Sequence, residues 1–271
     1  MPAINTNVAA LFAQQSLRVN ERNQSNAMRQ LSTGSRINTA SDDAAGMAIG
    51  QNMNTQVRGL NQAVRNLNDG VNMLQTAEGA LSETSNMLQR MRELAVQASN
   101  GTYSASQREY LDTEFQALSS QITKVSTQTK WNDQSLLTTS TNFVFQAGKD
   151  NLQTITATIA DMGAVGLSIA TTQSVGTVAG SALSITALDT AIGKVNAQRA
   201  NIGAAINQMT YAVDNLSSVA SNTAASRSSI MDTDYATAST QLSKTQIIQQ
   251  AATAMLAQAN QQPQSVLALL K

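Results

Sequence analysis

Two pairs of acidic residues in this sequence could act jointly in catalysis or in metal binding. Asp42 and Asp43 are adjacent, and Asp232 and Asp234 are separated by one residue. Either pair could hold a metal ion, and the first could act as an acid/base couple. Adjacent residues on a helix point about 100° apart, so Asp42 and Asp43 would not converge on one substrate. Helix capping is the favoured interpretation of both pairs, because carboxylates stabilise helix N-termini.

The residue types on which most enzymes depend are missing. The sequence has no His and no Cys, which removes the commonest general base, thiolate nucleophiles and the usual transition-metal ligands. It also has no phosphate-binding glycine loop and no G-x-S-x-G motif. We therefore expect a protein that is not an enzyme and needs no metal or cofactor.

Charge and hydropathy exclude further classes of partner. The 17 basic and 17 acidic side chains balance, so no basic field exists to bind nucleic acid or an anionic membrane. No stretch of about 18 apolar residues could span a bilayer, and the N-terminus lacks the pattern of a signal peptide. Two interpretations stay open: a cytoplasmic protein, or a protein exported by a route without a cleaved signal.

A repeat of apolar residues predicts a long α-helix, against which most of the remaining chain packs. Apolar side chains at alternating gaps of four and three indicate one continuous helix from about Ser41 to Asn100, about 85 Å long at 1.5 Å per residue. Ser41 is its predicted N-cap, with Asp42 and Asp43 in the first turn. A second apolar stripe means that this helix packs between two neighbours. Its predicted core residues are Val57, Leu60, Val64, Leu67, Val71, Leu74, Leu81 and Leu88.

Two further helices and a β-rich segment follow. The spacing predicts a helix from about Ser106 to Thr129 and a second long helix from about Ser184 to Ile230, which can run against the first. Between them, Thr, Val, Ile and Gly dominate residues 136–183, and the stretch "NFVFQAGKDNLQTITATIA" alternates apolar and polar side chains, which predicts short strands with a hairpin turn at Gly148–Asn151. Core residues of the second long helix are predicted to be Ile192, Val195, Ile202, Ile206, Met209, Val213 and Leu216.

The two ends of the chain carry a sparser helical pattern. Residues 1–40 and 232–271 are amphipathic, and neither has enough apolar residues to form a domain alone. We expect both ends to be mobile in a monomer and to become ordered when they pair and meet other subunits. The residues that mark these faces are Val8, Leu11, Phe12, Leu242, Ile248, Met255 and Leu256.

The predicted fold is mainly α. It is an elongated antiparallel bundle of long helices with a small β-hairpin region and with the N- and C-terminal helices paired. Two domains are expected: a terminal helical domain of residues 1–40 and 232–271, and a long-helix bundle of residues 41–231.

Several long motifs identify a family resemblance. The stretches "INTNVAALFAQQSL", "LSTGSRINTASDDAAGMAIGQNM" and "VRGLNQAVRNLNDGVNMLQTAEGALSE" resemble the N-terminal half of bacterial flagellins. The stretch "DTDYATASTQLSKTQIIQQAATAMLAQANQQPQSVLALLK" is similar to the flagellin C-terminus. The similarity covers about residues 1–160 and 184–271. The tail favours a filament subunit over a hook–filament junction protein.

The resemblance implies a structural function. Flagellins place their paired terminal helices in an inner coiled-coil tube, with the long-helix bundle in the next shell, and polymerise into the flagellar filament used for swimming. Family members are held by a cytoplasmic export chaperone and exported unfolded through the flagellar type III channel. They assemble beyond hook–filament junction proteins and under a filament cap protein. The connecting stretch here is too short for large outer domains, so a two-layer subunit is expected.

The resemblance also implies recognition by a flagellin-sensing Toll-like receptor of vertebrates. The motif "LQRMRELAVQ" places Arg90 and Leu94 at receptor-contact positions, and Glu114 on the next helix matches a third. Arg90 could pair with acidic groups and Leu94 could fill a pocket. The alternative is that this face contacts the adjacent subunit and that receptor binding is incidental; both can hold.

Two other classes of protein predict behaviour that differs from that of a filament subunit. A junction protein or coiled-coil adhesin would form a fixed small oligomer, and an enzyme would show turnover.

One departure from the family pattern affects local structure: Trp131-Asn132-Asp133 stands where Phe-Asn-Gly is common. Asp133 is therefore predicted to adopt the left-handed turn conformation that Gly usually takes.

Overall fold

A computed structural model describes residues 6–169 and 173–269 of the chain, and for residues 262–269 the backbone alone. Helices dominate these residues, and two small antiparallel hairpins interrupt them, so the predicted mainly α fold class and the order of its elements are confirmed. The elements are α1 (Val8–Thr33), α2 (Ala44–Ser99), α3 (Ala105–Gln128), β1 (Lys130–Trp131), β2 (Gln134–Ser135), β3 (Thr141–Gln146), β4 (Thr154–Ile159), α4 (Val178–Met231) and α5 (Tyr235–Leu269).

Contacts divide the chain into two compact units. One unit combines the chain ends, Met1–Val57 and Ser221–Lys271, and the other comprises Arg58–Ala220. We call them the terminal unit and the central unit. The predicted domains, 1–40 with 232–271 and 41–231, refer to layers of an assembled subunit and stay a prediction. Residues 1–5, 170–172 and 270–271 of the predicted domains lie outside the described residues.

The long helix α2 begins three residues later than the sequence suggested. Its first residue is Ala44, and Asp43 caps it, because its Oδ1 accepts a hydrogen bond from Gly46 N at 2.9 Å. The prediction that Ser41 is the N-cap is therefore wrong. Asp42 lies before the helix, where its Oδ2 accepts from the amides of Asn38 and Thr39 at 3.1 and 2.9 Å. These bonds, chiefly those to Thr39, lower the pKa of Asp42.

Both hairpins follow from local sequence. β1 and β2 are joined by the two residues Asn132 and Asp133, whose φ angles are 47° and 64°. Two successive residues in the left-handed backbone conformation make the tight turn whose twist matches that of the strands. The left-handed conformation predicted for Asp133 is therefore confirmed. β3 and β4 pair in register from Thr141 opposite Ile159 to Gln146 opposite Thr154, which places their turn where the sequence predicted it.

The central unit has a continuous apolar core around α2. The leucines at every seventh position are buried, and so is the second predicted stripe, represented by Met73, Ala77, Met91 and Leu94. A helix buried on two faces needs two neighbours, and α3 and α4 supply them. The chain between the hairpin and α4 adds Met162 and Leu167 to the same core.

The predicted core residues differ in how deeply they lie. Eight are buried: Leu60, Leu67, Leu74, Leu81, Leu88, Val195, Ile202 and Met209. Seven are half-buried: Val57, Val64, Val71, Ile192, Ile206, Val213 and Leu216. Arg199 lies on α4 between Val195 and Ile202 at the same three- and four-residue spacing, and it forms an ion pair with Glu78 of α2, with 2.7 Å between Nη2 and Oε1.

A buried glutamine protects the outer edge of the larger hairpin. Gln198 of α4 is only 5% exposed. Its Nε2 donates to the carbonyl oxygen of Thr158 at 2.9 Å, and its Oε1 accepts from the amide of Ala160 at 3.3 Å. One side-chain amide thus satisfies a backbone acceptor and a backbone donor that lie two residues apart, as a third strand would.

We expect Gln198→Ala to lower the free energy of unfolding by about 1–3 kcal/mol, because two shielded backbone groups lose their partner. Urea unfolding monitored by the fluorescence of the single tryptophan, Trp131, measures the effect. Asn196→Ala on the exposed side of the same helix is the matched control and should change stability by less than about 0.5 kcal/mol. Equal midpoints for the two variants would contradict the role given to Gln198.

Candidate self-assembly surface

Helices α1 and α5 pack against each other within the terminal unit along a repeat of shielded positions. On each helix these positions recur at gaps of three or four residues, which keeps them on one face. We call this contact face the seam. Its residues are Asn7, Ala10, Ala13, Leu17, Asn20, Gln24, Ala27 and Leu31 at the N-terminal end and Ala238, Leu242, Thr245, Gln249, Ala252, Leu256 and Ala259 at the C-terminal end.

Two asparagines join the helices across the seam. Asn20 Nδ2 donates to the carbonyl oxygen of Thr245 at 2.7 Å, and both residues are buried. Asn7 Nδ2 donates to the carbonyl oxygen of Ala259, also at 2.7 Å. Because the earlier asparagine meets the later acceptor, the two helices run antiparallel. The Thr245 hydroxyl donates back to the carbonyl of Leu242 at 2.8 Å, so its polar group is satisfied as well.

The chain segments that flank α1 and α5 also meet at the end of the seam. An isolated antiparallel β-bridge pairs Ser35 with Asp232. In the same bridge the amide of Arg36 donates to the carbonyl of Met231 at 2.7 Å. We call residues 34–36 and 230–233 the clasp.

Side chains and a glycine complete the clasp. The Arg36 guanidinium donates from Nη2 and Nε to the carbonyl of Ile230, at 2.6 and 3.2 Å. This carbonyl belongs to the last turn of α4, where positive charge is favourable. Gly34 has φ +70°, and a Cβ there would lie 3.2 Å from the Tyr235 hydroxyl oxygen, so a glycine suits the exit from α1.

Most large apolar residues of the two helices face away from the seam. Phe12 is 70% exposed and Met255 is 64% exposed, although both were predicted to mark apolar faces. At 100° per residue, Val8, Phe12 and Val19 fall within about 40° of one another on the side of α1 that lies away from the seam. The exposed apolar residues of the pair are Val8, Leu11, Phe12, Val19, Met28, Tyr235, Ile247, Ile248 and Met255.

The residues proposed for polymerisation therefore divide into two groups. Leu242 and Leu256 are half-buried in the seam, while Val8, Leu11, Phe12, Ile248 and Met255 are exposed. Burying one such side chain stabilises an assembly by about 1.5–3 kcal/mol. The exposed group can gain this energy only by contact with a further surface.

The residues that the resemblance places at the receptor surface lie in the central unit and differ in exposure. Arg90 of α2 is half exposed and its Nη2 lies 3.0 Å from Oε1 of Glu114 on α3, while its Nη1 lies 3.1 Å from Glu93 Oε2. The hydrogen bonds to Glu114 and Glu93 raise the pKa of Arg90. Leu94 is fully buried in the core, because α2 is covered on two faces there. The expectation that Leu94 fills a receptor pocket does not fit this packing.

A second ion pair lies on the same stretch of α2. Arg92 Nε donates to Asp189 Oδ1 of α4 at 2.6 Å, with both side chains about half exposed. The hydrogen bond from Arg92 lowers the pKa of Asp189. Together with Arg90, this pair ties α2 to both of its neighbours at the surface of the central unit.

The acidic pairs act in helix capping and local turns. Asp43 caps α2, and Asp234 caps α5 by accepting from the Ala236 amide at 2.9 Å and the Thr237 hydroxyl at 2.8 Å. Asp232 accepts from the Ser228 hydroxyl at 2.6 Å. Within residues 6–169 and 173–269, no group of three or more acidic side chains is placed to hold a metal ion. In the same part of the chain, no helix has the length and apolar character to cross a membrane.

Sequence reasoning missed the polar members of the seam and the clasp. Asn20 and Thr245 occupy positions of the seven-residue repeat that apolar residues usually fill, so their spacing from Ala13, Ala27 and Ala238 could have signalled burial. Arg36 carried no comparable signal, because its partner is a backbone carbonyl almost two hundred positions away.

Comparisons with known proteins point in one direction. Two family profiles match the chain: the bacterial flagellin N-terminal helical region over residues 4–142, and the bacterial flagellin C-terminal helical region over residues 185–270. The flagellin of Bacillus subtilis (strain 168) is 41% identical over 302 residues and covers 99% of both chains. The flagellar filament 33 kDa core protein of Treponema phagedenis is 38% identical over 289 residues, again with 99% of both chains covered.

A solved structure shows the same likeness in three dimensions. The crystal structure of Bacillus cereus flagellin is 34% identical to this chain and superposes with a TM-score of 0.51. The match covers 60% of this chain and 94% of that one.

The Arg92–Asp189 pair predicts a pH dependence. Because Arg92 lowers the pKa of Asp189 below its ordinary value of 3.8, the pair stabilises the fold above that pH. This contribution is lost as the pH falls through the lower pKa of the folded state. NMR titration of the Asp189 carboxyl carbon should give a midpoint below 3.8, and Arg92→Gln should return it to the ordinary value. A midpoint unaffected by Arg92→Gln would show that the ion pair does not hold in solution.

Proposed function

We propose that this chain, which belongs to the bacterial flagellin family, polymerises through the exposed apolar residues of its α1–α5 pair. Flagellin is the structural subunit of the extracellular flagellar filament, which serves motility, and it is not an enzyme. The proposal concerns the surface by which copies of this subunit join. The observation that supports it is the outward-facing stripe of Val8, Phe12 and Val19 on a helix pair whose own seam consists mainly of alanine and polar residues.

The α1–α5 pair leaves its larger apolar side chains uncovered. The buried apolar residues of the seam are alanines, namely Ala10, Ala27 and Ala238, and alanine contributes little apolar area. Phe12, Ile247 and Met255 are larger, and all three are more than 60% exposed. A surface of this kind, continued along two long helices, favours association with like surfaces. Repetition of one contact between identical subunits generates a helical polymer when it does not close into a ring.

We infer that the ends are mobile before assembly and become ordered in the polymer. The small area buried in the seam gives the pair little stability of its own. Such ends suit passage as an unfolded chain through the flagellar type III channel, with a cytoplasmic chaperone holding the C-terminal helix beforehand. Beyond the channel, the proposed partners are hook–filament junction proteins, the filament cap protein and further copies of the subunit.

We also propose that the central unit is a ligand of the flagellin-sensing Toll-like receptor. Arg90 and Glu114 are the exposed members of the expected contact set, and they are already paired with each other at 3.0 Å. A partially exposed guanidinium with carboxylate neighbours can form further charged hydrogen bonds to a receptor. Leu94 would then act from the core, by holding α2 in place beneath Arg90, and not as a direct contact.

Seeded elongation tests the assembly surface. Phe12→Ser should reduce the rate of filament growth on preformed fragments by about tenfold or more, because each added subunit loses a buried aromatic side chain. Gln15→Ser, one turn further on and exposed, is the matched control and should elongate like the unmodified protein. Electron microscopy and light scattering measure the growth. A fixed small oligomer that never lengthens would instead support the junction-protein or adhesin alternative.

Receptor activation separates the surface residues from the core residue. Arg90→Ala should lower signalling in receptor-bearing cells by about tenfold or more, since a charged contact is lost. It should cost less than about 1 kcal/mol in stability, because the side chain is half exposed. Arg92→Ala, two residues along α2, is the matched control and should signal normally. Unchanged signalling by folded Arg90→Ala would refute the receptor proposal and leave the assembly proposal intact.

A further inference from the structure

The register of α1 against α5 is not the one that their apolar side chains favour. In an antiparallel pair of helices, residue numbers rise along one helix while they fall along the other. Residues directly opposite each other, here called level, therefore have numbers that add to the same sum. The bonded pairs Asn7 with Ala259 and Asn20 with Thr245 give 266 and 265. At this sum, three of the four seam leucines are level with a smaller or polar residue, and the fourth, Leu31, is level with Tyr235 at the start of α5. The level pairs are Leu256 with Ala10, Leu242 with Gln24, and Leu17 with Gln249.

Displacement by one heptad in either direction would bring leucines level with leucines. Leu17 with Leu256 and Leu31 with Leu242 both add to 273, one heptad above the observed register. Leu17 with Leu242 adds to 259, one heptad below it. Paired leucines bury more apolar area than leucine against alanine or glutamine. The asparagines do not prevent such displacements, because the carbonyl oxygens that accept their bonds recur along the helix.

The clasp lies in the observed register and has no equivalent in the displaced ones. Its bridged residues, Ser35 and Asp232, add to 267, so the bridge continues the alignment of the seam beyond the helix ends. The Arg36 guanidinium adds two bonds to the carbonyl of Ile230 next to the bridge. This carbonyl belongs to the last turn of α4 and not to α5. It would therefore not move together with α5 if α5 were displaced along α1.

We propose that Arg36 is the positioning residue of the assembly surface, and that through the clasp it sets the register in which α1 pairs with α5. The proposal rests on the proposed function, because register matters only if other copies bind to this pair. In the observed register Phe12 is level with Met255 (sum 267) and Val19 with Ile247 (sum 266). One heptad of displacement would move these residues about 10 Å apart along the axis. The pattern of apolar groups offered to a neighbouring copy would change with it.

Engineered disulfides can measure the register directly, because the chain contains no cysteine. The pair Ala13→Cys with Ala252→Cys adds to 265 and reports the observed register. The pair Ala13→Cys with Ala259→Cys adds to 272, and Ala10→Cys with Gln249→Cys adds to 259, so they report the two displacements. Intrachain disulfides run as monomers on a denaturing non-reducing gel, which separates them from crosslinks between subunits.

In the otherwise unmodified protein, the 13–252 pair should be the preferred intrachain disulfide of the mobile ends in the free chain and the only one that forms in filaments. Arg36→Ala removes the guanidinium and its two hydrogen bonds, while the hydrogen bonds of the backbone bridge are retained. It should allow one of the displaced pairs to form at a yield comparable to that of the 13–252 pair. It should also slow seeded elongation by about tenfold or more, since a charged hydrogen bond is lost. Arg29→Ala is the matched control: the side chain of this exposed arginine of α1 bonds to its neighbour Asn26 and lies outside the clasp, so both readouts should stay unchanged.

Locking the register with the 13–252 disulfide tests whether Arg36 acts through the register. If Arg36 acted only on general stability, this disulfide would not restore elongation. Forming the 13–252 disulfide before seeding should restore elongation of Arg36→Ala to the rate of the equally locked unmodified protein. Exclusive formation of the 13–252 disulfide in Arg36→Ala would overturn the proposal, whether or not that variant elongates. So would slow elongation that persists after locking. Failure of the unmodified protein to lengthen seeds would instead refute the proposed function, while the disulfide yields still test the register.

Discussion

A pair of helices has only one shared face, and this constraint governs the terminal unit. The seam between α1 and α5 is filled mainly by alanine and polar residues, two of which are bonded asparagines, with four leucines among them, so the helices bury little apolar area against each other. The large apolar side chains, such as Phe12 and Met255, lie on other faces. Because such side chains gain free energy only when something covers them, the terminal unit is incomplete as a single copy. In the proposed function, polymerisation covers these side chains and so completes the unit.

The central unit meets the opposite condition. Its helix α2 carries apolar stripes on two faces, and α3 and α4 cover both of them. Leu67, Leu74, Leu81 and Leu88 are fully buried, and the hairpin closes against the bundle so tightly that a Cβ on Gly70 would lie 2.9 Å from the Phe145 ring. The ion pairs that join α2 to α3 and α4 lie at the surface. One chain thus combines a central unit that has a large apolar core with a terminal unit whose seam leaves most of its large apolar residues exposed.

The clasp shows how few contacts are needed to align two long helices. Seams with a seven-residue repeat are nearly degenerate, because a shift by one heptad restores most of the pattern. A β-bridge and one guanidinium at the end of the pair remove this degeneracy, since a backbone pairing has no periodic alternative there. The asparagines of the seam satisfy their amides, but their acceptors repeat along the helix. Alignment and stability therefore depend on different residues.

The sequence by itself determined the helices, their order, the larger hairpin and the family, because periodicity, turn chemistry and long motifs are local properties. The left-handed turn at Asp133 and most of the buried leucines were predictable for the same reason. The start of α2 was misplaced, because Ser41, Asp42 and Asp43 are all good capping residues and only backbone geometry chooses among them. Two neighbouring helices decided that Leu94 is buried while Arg90, four residues earlier, stays half exposed. The tertiary structure alone brought Arg36 to Ile230 and Asn20 to Thr245, because contacts to backbone carbonyls across two hundred residues leave no pattern in the sequence.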